Sequence, residues 1–122
     1  MIGYVTLGTN DLNRAARFFD ELLAVVGAKR VWETDHLISW GTDPQQAMLG
    51  AITPFDGNKA TPGNGTMVSI AAKSQEEVNR IYQKAIALGA KDEGPAGPRG
   101  PGFYAGYFRD LDGNKLCAYF TG

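Results

Sequence analysis

Apolar residues recur along this chain with two periods. Leu12, Ala15, Ala16, Phe19, Leu22, Leu23 and Val26 fall at the i, i+3, i+4, i+7 spacing of one helix face. Asn10 or Asp11 stands where an N-cap belongs, and Gly27 where a left-handed residue closes a helix. Val78, Ile81, Tyr82, Ala85 and Leu88 trace a second stripe, with Ser74 and Glu77 at capping-box spacing before it and Gly89 after it. Short runs around these helices read as strands: Val5-Thr6-Leu7, Ile38 to Gly41, Met48 to Ile52, Val68-Ser69-Ile70, Gly106 to Arg109 and Leu116 to Phe120.

The two helical stretches are copies of each other. Val5-Thr6-Leu7 matches Val68-Ser69-Ile70 at an offset of 63, and Gly27-Ala28-Lys29 matches Gly89-Ala90-Lys91 at an offset of 62. The later strands line up at an offset of 68, which sets Leu49 against Cys117. Two units are too few for a solenoid. The expectation is an α+β fold of two β-α-β-β-β modules, over about 1–53 and 64–122, joined by a connector at 54–63. One helix covers one face of its sheet, so the opposite faces are left to meet each other or to line a cleft. Because strand side chains alternate, Val5 and Leu7 are expected under the helix. Tyr4, Thr6, Met67 and Ser69 are expected on the inward side, and Leu49 and Cys117 are the symmetry-related positions on the last strand of each module.

Length and charge narrow the function. The chain has 122 residues, enough for one ordinary core. Twelve Lys and Arg against thirteen Asp and Glu leave no basic surface for nucleic acid and no polybasic membrane patch. No apolar run reaches the length of a bilayer span, and the N-terminus enters a strand at once, so the cytoplasm is the expected location. One cysteine, Cys117, excludes an intrachain disulfide.

Gly3 to Leu12, Phe18-Phe19-Asp20 and Phe103 to Leu116, in this order and with the internal duplication, resemble the vicinal oxygen chelate superfamily. Its members include glyoxalases, bleomycin-resistance proteins and extradiol dioxygenases. The resemblance implies a cup-shaped mixed sheet with helices outside. In metal-using members it also implies a divalent ion held at four inward positions by His, Gln or Glu. Those positions correspond here to Tyr4, Leu49, Met67 and Cys117, none a usual ligand for such an ion. The resemblance implies pairing as well, so a homodimer is expected.

The remaining chemistry is sparse. His36 is the only histidine and reads as a solvated loop residue. Asp110 to Asn114 has its glycine and its twelfth residue wrong for a calcium loop and reads as a hairpin turn. Gly94 to Gly102 reads as an extended loop whose only charge, Arg99, stands at a pocket rim. Aromatic residues are dense near the expected cup. The expected ligand-binding set is therefore Tyr4, Thr6, Trp40, Met67, Ser69, Arg99, Tyr104, Cys117 and Tyr119, with no metal, no cofactor and no assigned catalytic residue. The expected function is binding of a small organic molecule, neutral aromatics in preference to multiply charged ligands. The alternative is a lyase, isomerase or dioxygenase, metal-dependent or using Tyr or Cys as acid–base groups.

Overall fold

Each half of the chain lays one helix against one face of a four-stranded mixed sheet. The computed structural model describes Met1–Gly122, which divide into two compact units, Met1–Pro62 and Gly63–Gly122. The first contains β1 (Tyr4–Gly8), α1 (Leu12–Ala24), β2 (Lys29–Glu33), β3 (Leu37–Gly41) and β4 (Met48–Ile52). The second contains β5 (Val68–Ala71), α2 (Gln75–Ala87), β6 (Lys91–Pro98), β7 (Phe103–Arg109) and β8 (Lys115–Thr121). The strand orders are β1-β4-β3-β2 and β5-β8-β7-β6. In each sheet the first and last strands pair in parallel and the other neighbours are antiparallel. The duplicated α+β architecture read from the repeat is thus the one observed.

Helix boundaries follow their local chemistry. Asp11 is the N-cap of α1 and accepts the Arg14 amide at 3.0 Å. Gly27 beyond its end takes φ +79°, a conformation costly for a residue with a Cβ. Ser74 caps α2 by accepting the Glu77 amide, but Glu77 reaches back to the Lys73 amide and not to that of Ser74. The reciprocal arm of the expected capping box is therefore displaced by one residue.

The helix-covered face of the first sheet carries Leu7, Ile38, Trp40, Leu49 and Ala51, packed beneath Phe19, Leu22 and Leu23, all buried. Trp40 tilts against the Phe19 ring at 5.5 Å between centroids. Its indole N–H donates to Asp20 Oδ1 at 2.8 Å. The same carboxylate accepts both Nε and an Nη of Arg30, at 2.8 and 2.7 Å, so one side chain on α1 ties down both β2 and β3. Arg30 beside it lowers the Asp20 pKa. In the second unit Val78, Ile81 and Ala85 of α2 are buried over Phe108, Leu116 and Ala118.

The register corrects the alignment of the two modules. Val5 pairs with Leu49, whereas Ser69 pairs with Cys117. Since Val5 corresponds to Val68, whose partner is Leu116, the last strands match at an offset of 67, not 68. Leu49 therefore belongs to the helix-covered face, and the first-module counterpart of Cys117 is Gly50. The expected loop at Gly94 to Gly102 is also revised. Its first half is the end of β6, which pairs with β7 through irregularities between Asp92 and Gly94 and between Gly94 and Gly97. Only residues 99–102 remain a turn. Asp110 forms the β7–β8 turn as expected, its carboxylate accepting the amides of Asp112 and Asn114 and the Asn114 side chain.

The connector at 54–63 is no free link. The Asn10 side chain accepts the Ala60 amide at 2.7 Å and donates to the Ala60 carbonyl at 3.1 Å, as a strand partner would. Ala60 is buried, its Cβ only 3.0 Å from where a Cβ on Gly8 would stand, so Gly8 leaves the space it needs.

Replacing Asp20 by alanine leaves the buried indole without its acceptor. The expected loss is about 1–3 kcal/mol in urea unfolding, with Asp20→Asn losing less because its amide oxygen still accepts from Trp40. Equal losses for the two variants would contradict this assignment.

Candidate functional site

The face of the second sheet that α2 does not cover is built by alternation. Ser69 of β5, Tyr107 of β7 and Cys117 of β8 lie side by side, since Cys117 is in register with both. The Cys117 thiol is buried, and the side chains of Ser69 and Tyr107 hydrogen-bond it. Arg99 and Lys115 each approach the Tyr107 ring, with Cζ and Nζ both 5.6 Å from its centroid. Alternation from Cys117 places Tyr119 on the same face, where its ring stacks with Phe103 at 5.8 Å and 18°. The Cys117 thiol and two cations thus meet at the one phenol of Tyr107.

Burial pushes the Cys117 thiol pKa up. Hydrogen bonds from Ser69 and Tyr107, and the charges of Arg99 and Lys115, act in the opposite direction without overcoming it. At neutral pH the group is a protonated thiol, a weak donor and small apolar filler, not an activated nucleophile. Arg99 does not stand free at a rim. Its guanidinium donates to the Pro95 and Pro98 carbonyls while it faces Tyr107. Its charge is already committed to its own hairpin.

Two expected ligand contacts belong elsewhere. Trp40 is core, held under α1 by Asp20 and Phe19. Tyr104 lies on the helix-covered face, where its hydroxyl donates to Asn79 of α2 at 2.7 Å. Strand parity explains both, because Trp40 is the neighbour in register of Leu49 and Tyr104 that of Phe120. Tyr4 and Thr6 do lie on the uncovered face of the first sheet, in register with Met48 and Gly50, and both are exposed. Met67 sits immediately before β5 and is partly exposed. Ser39, the counterpart of Tyr107 in the first module, has a buried hydroxyl with no hydrogen-bond partner. Tyr107 and Lys115 were missed as site residues. The cross-strand partner of Cys117 on β7 is Tyr107, and parity along β8 from Cys117 leads to Lys115.

The donor set does not fit the family's divalent metal. With Leu49 replaced by Gly50, the four positions offer a phenol, a glycine, a thioether and a thiol held in its protonated form. A hard or borderline ion wants imidazole or carboxylate at such positions. No group of three or more His, Cys, Asp or Glu gathers anywhere in the chain where it could hold a metal ion.

Residues 1–118 match the family model described as Glyoxalase/Bleomycin resistance protein/Dioxygenase superfamily. Among solved structures, a glyoxalase/bleomycin resistance protein from Albidiferax ferrireducens is 35% identical with a TM-score of 0.88, covering 98% of this chain and 97% of that one. A glyoxalase-related enzyme from Fulvimarina pelagi shares the fold at 23% identity and a TM-score of 0.78, covering 99% and 88%. A lactoylglutathione lyase from Agrobacterium tumefaciens shares it at 22% identity and 0.71, covering 98% and 92%. No curated protein matches this sequence.

The raised Cys117 pKa has a signed consequence. The fold favours the protonated thiol, so its contribution to stability is complete below the ordinary thiol range and is lost as pH rises through the higher folded value. The stability difference between wild type and Cys117→Ala should therefore shrink with rising alkaline pH. A thiol-selective reagent near neutral pH should also label the native protein about tenfold or more slowly than the unfolded chain. Fast native labelling would contradict the assignment.

Proposed function

The chain belongs to the Glyoxalase/Bleomycin resistance protein/Dioxygenase superfamily, and we propose that it acts there as a metal-free small-molecule-binding protein. Its ligand would rest on the uncovered face of the second sheet. The observation that carries this reading is the Cys117, Ser69 and Tyr107 cluster. A neutral thiol, flanked by two hydroxyls, occupies a position where a metal-using relative would need a charged or imidazole donor.

The chemistry of this face favours a neutral aromatic ligand. Phe103 and Tyr119 offer stacked aromatic surface, and the Ser69 and Tyr107 hydroxyls offer hydrogen bonds. The nearby cations are directed at the Tyr107 ring, and Arg99 is further occupied by backbone carbonyls. A multiply charged ligand would have to pull them from these partners, at a desolvation cost of its own. An acid–base enzyme is the second reading, and the hydroxyl of Tyr107, hydrogen-bonded to the thiol beneath two cations, is the observation that favours it.

A symmetric homodimer is part of the proposal. All five residues of edge strand β2 are exposed, Val31 and Trp32 among them, and Ile2 and Tyr4 add to the apolar surface of the first unit. Covering such an edge and its apolar residues is favourable. Light scattering at micromolar concentration should give twice the 13.1 kDa chain mass; a monomer would end this part.

Elemental analysis of untagged protein should find no stoichiometric zinc, manganese, iron or nickel, and one ion per chain would refute the metal-free reading. In a thermal-shift screen, neutral aromatics such as 2-naphthol should raise the melting temperature and glutathione conjugates should not. Met67→Trp should remove the shift while leaving the unliganded melting temperature nearly unchanged. Stabilisation by anionic conjugates alone would overturn the ligand class.

A further inference from the structure

We propose that the first unit carries a second ligand site, for a small aromatic monocarboxylate, in the open hollow bordered by its connector. Where β1 ends, β3 begins and β4 ends, the chain leaves a hollow of about 560 Å³, within the range of small-molecule pockets. Its lining includes His36, Ile52, Pro54, Phe55, Asn58 and Lys59, all residues of the first unit.

The walls are held by specific bonds. Thr9 donates its amide to Ile52 and Thr53 donates its own to His36, each at 2.9 Å. The Asn10–Ala60 clamp described above fixes the far end of the connector. Between these ends the Gly57 amide donates to Pro54, with Gly57 at φ +77°. The Asp56 carboxylate accepts the Asn58 amide and side chain, so the nearest acid in the loop is already engaged.

On this scaffold two side chains lack partners within the chain. Phe55 is 104% exposed, an apolar ring held wholly in water at the mouth of the hollow. Lys59 enters no ion pair, and no acidic residue lines the hollow to neutralise it. His36 Nδ1 lies 3.1 Å from Thr53 Oγ1, which orients the ring at the same wall. An aromatic body packed between Phe55, Pro54 and Ile52, with one carboxylate toward Lys59, satisfies both. A single lysine matches a single negative charge. A phosphate dianion would want the arginine or the row of free amides that this lining lacks.

The test is an NMR titration of the full-length protein with phenylacetate. Saturable shifts are expected at His36 and across Thr53 to Lys59. Acetate and phenylacetamide should each bind about fivefold or more weakly, since each lacks one half of the recognition. Phe55→Ala and Lys59→Gln, both at exposed positions, should each weaken phenylacetate by about the same factor without altering the rest of the spectrum. The proposal is overturned if no saturable shift appears at these residues, or if acetate binds as well as phenylacetate. Shifts confined to Ser69, Tyr107 and Cys117 would also overturn it and leave the second-sheet site standing, so the two failures are distinguishable.

Discussion

Each four-stranded sheet in this protein has one helix, and one helix seals one face. That constraint divides the side chains of every strand into two sets with opposite duties. Beneath α1 and α2 the sets are apolar and buried: Leu7, Ile38, Trp40 and Leu49 in one unit, Phe108, Leu116 and Ala118 in the other. Packed against the buried helix residues, these side chains contribute hydrophobic stabilisation at roughly 25 cal/mol per Å² of apolar area removed from water. The alternate positions are released from that duty, and on the second sheet they hold Ser69, Tyr107, Cys117 and Tyr119.

The polar bonds on the covered side explain why the division is sharp. Asp20 on α1 receives the indole of Trp40 and the guanidinium of Arg30, fixing helix, β3 and β2 by one carboxylate. In the second unit Asn79 on α2 receives the Tyr104 hydroxyl in a comparable way. An aromatic residue with a polar tip is well suited to such a place, because its ring is buried and its tip is satisfied. These bonds turn Trp40 and Tyr104 away from ligand binding.

This also shows what was legible in the sequence. Helical periodicity and duplication are local patterns, and they disclosed both modules, both helices and the parity of Tyr4, Thr6, Ser69 and Cys117. Pairing register is not local. An offset carried from β3 to β4 without allowing for one residue put Leu49 on the wrong face, and a one-residue slip in a strand always exchanges the faces. The Gly-Pro composition of 94–102 suggested a loop, yet strand pairing accommodated it through irregularities at an edge, where prolines are tolerated. Arg99 was visible as a charge, but its carbonyl partners and its place over Tyr107 depend on how that edge strand turns.

The central claim is that this face binds its ligand through aromatic and hydroxyl groups without a metal ion. Calorimetric titration with 2-naphthol, before and after exhaustive treatment with EDTA, tests it most directly. The account predicts the same affinity in both titrations. Loss of binding after EDTA, restored by adding back nickel, zinc, manganese or iron, would contradict it.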